Sequence, residues 1–338
     1  MKAWLLENLT GLDQLRLADV PDPIPADGEL LVDLEFAALN PADRYLSQGQ
    51  YPAQPKLPHV LGRDGVGIIG AVGKNAGPFR IGQRVLIIRG ETGVNRWGTF
   101  AQRVAVSAKA VAIPPAGWSV RESAGAALVY LTAHQALTQW GDLPPSIVLV
   151  TGASGGVGVA AIQLAKAFGH TVVALSRDAG KRERLKQFGA DHALDPADPH
   201  WPANLKASLS PRRVDLAIDN IGGPQFNQVI ESLGPFARVS VVGQLAGPVP
   251  QFSTASLFFR RIRIGGVALG TFTPAEAMAA WESSVALLAR IGAKPIVDRV
   301  FAFDELPAAF DRLAAGPLGK VLVQIRNEDR DPLQCLTK

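Results

Sequence analysis

Ile147-Val148-Leu149-Val150-Thr151-Gly152-Ala153-Ser154-Gly155-Gly156-Val157-Gly158 is the stretch that decides the fold. Four consecutive apolar residues read as a buried strand, and the glycines after them let the backbone turn sharply. A helix-length segment runs on through Phe168, and a second β-branched run, Thr171 to Ser176, follows it. Strand, glycine turn, helix and strand in that order make the repeating unit of a parallel sheet. The turn is where a pyrophosphate rests on free N–H groups at the positive end of the helix dipole. Gly152, Ser154, Gly155, Gly156, Val157 and Gly158 are therefore the expected phosphate-binding residues.

The next strand ends at the residue expected to meet the adenosine ribose. An acid there favours the 2′-hydroxyl of NAD(H), and a basic neighbourhood accommodates a 2′-phosphate. This chain has Ser176-Arg177, with Lys181 one helical turn farther on. Both cations can reach a phosphate and Ser176 leaves room for it, so the expected cofactor is NADP(H). The competing reading makes Arg177, Lys181 and Arg182 a solvated helix face.

Farther out, three zones differ in pattern. Before about Gly117, short alternating runs such as Leu30-Val32-Leu34-Phe36 against Leu31-Asp33-Glu35 are punctuated by Pro and Gly, the mark of short strands in a barrel or sandwich. From about Trp118 to Leu257, apolar strands alternate with helix-length segments, which calls for a parallel sheet. The last zone returns to strands after a helix at about Pro274 to Arg290, with Thr273 as its expected N-cap.

Composition narrows the classes. The 338 residues are 47% hydrophobic and 19% charged, which fits two globular domains and excludes disorder as a starting assumption. A net charge of +4 with scattered basic residues does not favour nucleic acid. The single cysteine, Cys335, rules out an intrachain disulfide and a cysteine-based zinc site, and points to a reducing, cytoplasmic compartment. The apolar stretch before Glu7 is too short for a secretory signal. The uncharged stretch from Pro144 to Ala165 is broken by four glycines and two prolines, unlike a membrane span.

The octet Thr151 to Gly158 also matches the TGxxxGxG pattern of short-chain dehydrogenases. Those enzymes use a Tyr-x-x-x-Lys pair downstream of the loop, whereas Tyr45, Tyr51 and Tyr130 all precede it. With Ala38-Leu39-Asn40-Pro41-Ala42-Asp43, Leu61-Gly62-Arg63-Asp64-Gly65-Val66-Gly67, Gly82-Gln83-Arg84-Val85, Gly98-Thr99-Phe100-Ala101, Leu131-Thr132-Ala133 and Gly319-Lys320-Val321-Leu322-Val323, the chain instead resembles the medium-chain dehydrogenase/reductase superfamily, in its zinc-independent quinone oxidoreductase and enoyl reductase branch.

The resemblance implies an α/β architecture: a GroES-like β-rich catalytic domain plus a Rossmann domain with a doubly wound parallel sheet, and an active site in the cleft between them. The expected boundaries are 1–120 for the first part of the catalytic domain, 121–260 for the Rossmann NADP(H)-binding domain, and 261–338 for the last Rossmann strand region and the return. Zinc-dependent relatives carry Cys, His and Cys where this chain has Asn40, Arg63 and Leu128, so no metal is expected. His59, Asp43 and Asp64 remain nearby, and Arg63 is expected to pair with one of the carboxylates.

Without a Lewis acid, hydride from a nicotinamide needs an acceptor that is already electron-poor, such as a quinone or a C=C conjugated to a carbonyl. Tyr51 resembles the tyrosine that enoyl-thioester reductases place beside the substrate; its other reading is packing against Pro52 and Pro55. Tyr45 is the second choice, as a pocket wall. Asn40 is expected to hydrogen-bond cofactor or substrate. By resemblance Thr132, Asn220, Ile221, Val242, Gly243 and Lys320 meet the cofactor; His134, close to Thr132, has two readings, an acid or, as is commoner for a lone His on a helix, a packed residue. The small-molecule substrate is then a quinone, an enone or an enoyl thioester, with a trans-2-enoyl-thioester reductase as the alternative within the class. A homodimer is expected through the edge strand near residues 260–267. The rival from another class is an NADPH-binding protein with an RNA-binding or other non-catalytic role, which needs Arg212, Arg213, Arg260, Arg261 and Arg263 on one face.

Overall fold

The computed structural model describes residues 1–88, 91–248 and 252–326. Cys335 lies outside the described residues. The chain forms two compact units. One comprises Met1–Leu128, Thr273–Ala279 and Pro295–Lys338, described as far as residue 326; the other comprises Val129–Phe272 and Ala280–Lys294.

The second unit is built on the apolar runs seen in the sequence. Ile147–Val150 forms a strand with all four residues buried, because parallel strands are covered on both faces. Six parallel strands lie in the order His192–Leu194, Thr171–Leu175, Ile147–Val150, Val214–Asp219, Leu233–Val241, Arg263–Gly266. The chain thus starts in the middle, builds outward to one edge, then returns and builds to the other. The reversal falls between Ile147–Val150 and Val214–Asp219, the place where such sheets bind ligands beyond their carboxyl ends. Trp201, Phe226, Val229 and Val239 are fully or almost fully buried in the core cluster that backs this sheet.

The first unit joins both parts of the chain in one sheet. Its strands run Val297–Ala302, Lys320–Gln324, Glu29–Ala38, Asp64–Val72, Arg84–Ile87 and Val111–Ala112, and Arg103–Ser107 also pairs with Glu29–Ala38. Leu322 lies opposite Ala38, and Ala38 lies opposite Asp64, so three strands distant in sequence meet at one level. Their approach is close: a Cβ on Gly67 would stand 2.2 Å from the Asp33 carbonyl oxygen. Leu30, Val32, Leu34, Val321 and Val323 are fully buried, and Phe100 meets Phe310 edge-on at 5.8 Å.

The long helix runs Pro274–Ile291 and starts as the sequence suggests. Glu276 accepts from the Thr273 N–H at 2.7 Å, and the Glu276 N–H donates to the Thr273 hydroxyl at 3.2 Å. Among the described residues, no helix is long and apolar enough to cross a membrane.

Candidate active site

The glycines of the octet have different physical reasons. Gly152 sits at φ 56°, a left-handed conformation, and a Cβ there would press on Ile221 at 2.9 Å. Gly158 packs the helix Gly156–Ala167 onto the loop, since its Cβ would lie 2.4 Å from the Gly152 carbonyl oxygen. Gly155 is unlike both. It precedes the helix as N-cap with φ −72°, which any residue adopts, and the nearest atom to a Cβ there is 3.4 Å away. Neither backbone conformation nor crowding by the protein requires glycine at that point. No side chain caps this helix end, so its first N–H groups remain for another acceptor. An open cradle beneath uncapped donors fits a pyrophosphate.

Ser176 follows the strand Thr171–Leu175 and is buried, while Arg177 is exposed. Among the described residues, the Arg177 side chain has no hydrogen-bond or ion-pair partner. Asp178 caps the helix Ala179–Gln187 through the Lys181 N–H, which fixes where Lys181 leaves the backbone. Arg182 proves to be a brace rather than a solvated face. Its Nη1 donates to the carbonyls of Ser176 (2.7 Å) and Arg177 (3.0 Å) and to Asp195 (3.0 Å).

The end of Val214–Asp219 is organised by a buried carboxylate. Asp219 accepts from the Thr151 hydroxyl at 2.6 Å and from the N–H groups of Ile221 and Gly222. Burial pushes its carboxyl up, and those three hydrogen bonds pull it back. Asn220 is tied to Thr151 as well, donating its amide to the Thr151 carbonyl at 2.8 Å. Val242 and Gly243 both donate backbone N–H to the Asp219 carbonyl, so the loops after two neighbouring strands are held together there. Thr132 is half-buried on the helix Ala127–Thr138. His134, on the same helix, lies 3.3 Å from the Ser283 hydroxyl, and burial pulls its pKa down.

In the first unit, Asn40, Asp64 and Lys320 form one polar cluster. Lys320 is 4% exposed, and its ammonium donates to the carbonyl of Leu39 (2.9 Å), to Asn40 Oδ1 (2.6 Å) and to Asp64 Oδ2 (3.1 Å). All three of its hydrogens are engaged within the unit. The Asn40 amide also donates to Asp64 Oδ2 at 3.0 Å, and the Leu128 N–H donates to Asp64 Oδ1 at 3.0 Å. Asn40 therefore has both ends of its side chain committed. The helix Pro41–Ser47 begins after it, and Asp43 returns a carboxylate oxygen to the Asn40 N–H at 2.9 Å.

Arg63 lies beside this group. Its Nε is 3.7 Å from Asp43 Oδ1, its Nη1 donates to the Tyr51 phenol oxygen at 2.9 Å, and its guanidinium carbon stands 4.2 Å from the Tyr51 ring centre. Asp43 is fully buried, and burial pushes its pKa up to about 6 against the pull of Arg63 and the Asn40 N–H. His59 is buried too; burial first, then the Arg63 charge, draws its pKa down to about 4 against a backbone hydrogen bond at Gly93. Tyr45, half-buried on Pro41–Ser47, has its phenol pushed up by burial, with Arg44 opposing.

A zinc ion does not fit these residues. The oxygens of Asn40 and Asp64 already hold an ammonium, Arg63 brings a second cation against Asp43, and Leu128 has no ligating side chain. Among the described residues no three His, Cys, Asp or Glu side chains converge as a metal set. Four of the five arginines of the RNA-binding alternative already have neighbours: Arg212 lies 3.9 Å from Asp215, Arg260 donates to the Leu233 carbonyl, Arg261 covers Phe236 and Arg263 covers Trp140. Sequence reasoning missed Asp219 and the bracing role of Arg182. An acid closing an otherwise apolar strand, Asp-Leu-Ala-Ile-Asp, was the available signal for the first.

Comparison with known proteins agrees with this layout. Residues 26–116 match the alcohol dehydrogenase GroES-like domain family, and residues 156–298 match the family described as zinc-binding dehydrogenase. The human synaptic vesicle membrane protein VAT-1 homolog is 32% identical over 73% of this chain, a match that spans only 63% of that longer protein. Human quinone oxidoreductase is 27% identical, covering 96% of this chain and 97% of its own. A mycobacterial protein solved in complex with NADPH superimposes with a TM-score of 0.86 at 27% identity, covering 96% of this chain and 99% of its own.

Gly155→Ala is expected to leave the melting temperature nearly unchanged, within about 0.5 kcal/mol of stability, while raising the dinucleotide Kd about tenfold in a fluorescence titration. Gly158→Ala, by contrast, should lower the melting temperature, since its Cβ meets backbone. His59 has a folded pKa below its unfolded one, so the unfolded chain binds more protons between about pH 4 and 6.5, and stability is lost as pH falls through that window. His59→Gln is expected to reduce the drop in melting temperature between pH 7 and pH 5.

Proposed function

Because the chain belongs to the medium-chain dehydrogenase/reductase superfamily, in its quinone oxidoreductase branch, we propose that it is a metal-independent NADPH-dependent oxidoreductase whose acceptor is a quinone or the activated C=C of an α,β-unsaturated carbonyl compound. The observation that carries the choice of acceptor is the Lys320 ammonium held by Asn40 and Asp64. With no metal-ligand set among the described residues to polarise an ordinary carbonyl, the acceptor in this reading is electron-poor in itself.

When bound, the nicotinamide supplies hydride. The uncapped N-terminus of Gly156–Ala167 and the open face of Gly155 hold the pyrophosphate in this reading, with Gly152, Ser154, Val157 and Gly158 shaping the turn. Ser176, Arg177 and Lys181 take the 2′-phosphate, and Arg182 fixes the carbonyls of the first two. Asn220, Ile221, Val242 and Gly243, gathered by Asp219, line the cofactor, and Thr132 meets its nicotinamide end. Asn40 and Lys320 act as the rigid floor of the substrate region.

Quinone reduction asks for placement of the ring against the cofactor. Reduction of a conjugated C=C needs a proton as well, and Tyr51 is the donor in this reading. Its oxygen accepts from Arg63, and among the described residues nothing accepts the hydroxyl hydrogen. Enoyl thioesters belong to the same acceptor class. We also read the edge strand Arg263–Gly266 as a pairing surface for a second copy, because among the described residues no strand pairs with its outer side, and the helix just before it, Ala255–Arg260, exposes Phe258 (63%) and Phe259 (80%). Sedimentation should then show twice the chain mass, and a monomer would contradict it.

The direct test is NADPH consumption by chelator-treated protein with a simple quinone, a short enone and a crotonyl thioester, with NADH as the control. Turnover of at least one acceptor is expected, and no turnover of any contradicts the reading. In the same assay, Arg177→Ala combined with Lys181→Ala should raise the KM for NADPH tenfold or more, about 1.4 kcal/mol, and that for NADH far less. Equal losses with both would refute the 2′-phosphate assignment.

A further inference from the structure

We propose that Arg63 is the residue that aims the Tyr51 hydroxyl at the substrate and balances the negative charge left on the tyrosine oxygen when that hydroxyl gives up its proton; this rests on the reading of Tyr51 as a proton donor. A guanidinium can only donate hydrogen bonds, so its Nη1, 2.9 Å from the phenol, makes the Tyr51 oxygen an acceptor. The phenol hydrogen must then point away from Arg63. The guanidinium also lies over the ring, 4.2 Å from its centre, so ring and hydroxyl are held by the same group. Arg63 is in turn placed by Asp43, 3.7 Å from its Nε, and Asp43 is fixed by the Asn40 N–H.

The Arg63 side chain is only 9% exposed, and its ion pair with Asp43 is long, at 3.7 Å, while the contact of Nη1 with the Tyr51 oxygen is a full hydrogen bond at 2.9 Å. A cation beside a phenol that becomes a phenolate has a use. Hydride adds to the β-carbon of the acceptor, the C=C electron pair moves to form an enolate, and the Tyr51 O–H proton passes to that enolate. The phenolate formed accepts from Nη1, and water restores its proton. The charge that develops on the tyrosine oxygen thus meets a fixed donor already in place.

A double-mutant cycle on enone reduction tests this. Tyr51→Phe should lower the enone kcat by about 10²-fold, and Arg63→Met should lower it about tenfold or more, each with a smaller change in KM. In the Tyr51→Phe background Arg63→Met should cost no more than about twofold further, because a positioning residue has nothing left to position. Arg63→Lys, which keeps a charged donor, should recover part of the loss. Additive effects, or an equal loss of enone and quinone kcat in Arg63→Met, would overturn the proposal. An arm independent of turnover uses ring-labelled tyrosine and NMR without cofactor, with the Tyr51 signal assigned by its absence in Tyr51→Phe. That signal should move in Arg63→Met, and in Arg63→Lys if the methionine variant does not fold; an unmoved signal overturns the proposal. A wild-type protein that reduces no acceptor refutes the parent reading, and the NMR arm still decides the Arg63 contact.

Discussion

The buried pair of Lys320 and Asp64 is the contact on which the first unit depends. The two residues are 256 positions apart in sequence, and their charges meet at 3.1 Å with almost no exposure on either side. Two such ions are tolerated only because the remaining hydrogen-bonding capacity is satisfied: Lys320 by Leu39 and Asn40, Asp64 by Asn40 and the Leu128 N–H. Removing either partner would strand a charge in the interior. The pair therefore locks the returning strand Lys320–Gln324 in register with Glu29–Ala38 and Asp64–Val72, and brings Asn40 to the head of its helix beside Asp43. Arg63 and Tyr51 are then arranged around Asp43.

The dinucleotide region rests on a different constraint, the close approach of backbone to backbone. Gly152 is needed for its positive φ, and Gly158 for the contact between helix and loop. Gly155 is the informative one, since the protein leaves open the space that a side chain would take. Asp219 complements the loop by gathering the N–H groups of Ile221 and Gly222 and the Thr151 hydroxyl at the point where the strand order reverses. Among the described residues, the ammonium of Lys320 and the guanidinium of Arg63 are the cations at the polar centre of the first unit.

Much of this was legible in the sequence, for reasons that differ by residue. The parallel sheet followed from continuous apolar runs separated by a glycine turn and helix-length segments. That Asn40, Arg63 and Leu128 stand where zinc-dependent relatives carry Cys, His and Cys comes from the resemblance, and their residue types make them poor zinc ligands whatever their geometry. The direction of a long side chain was not readable. Lys320 was expected to reach outward to a cofactor, yet it points into the unit, toward Asp64, which only the strand register brings near. Arg182 enters from the sequence only through the competing reading, as one of a row of surface cations, because its partners include backbone carbonyls, which leave no trace in residue identity. For Tyr51 the packing and chemical readings were posed as alternatives. The ring packs against the core cluster, and the phenol is hydrogen-bonded to Arg63, so the two are compatible.

The most direct test of the account is a paired determination on one purified sample: zinc content by elemental analysis and NADPH stoichiometry by calorimetric titration. The account predicts one NADPH bound per chain with no stoichiometric zinc. One zinc per chain, or the absence of nucleotide binding, would contradict it.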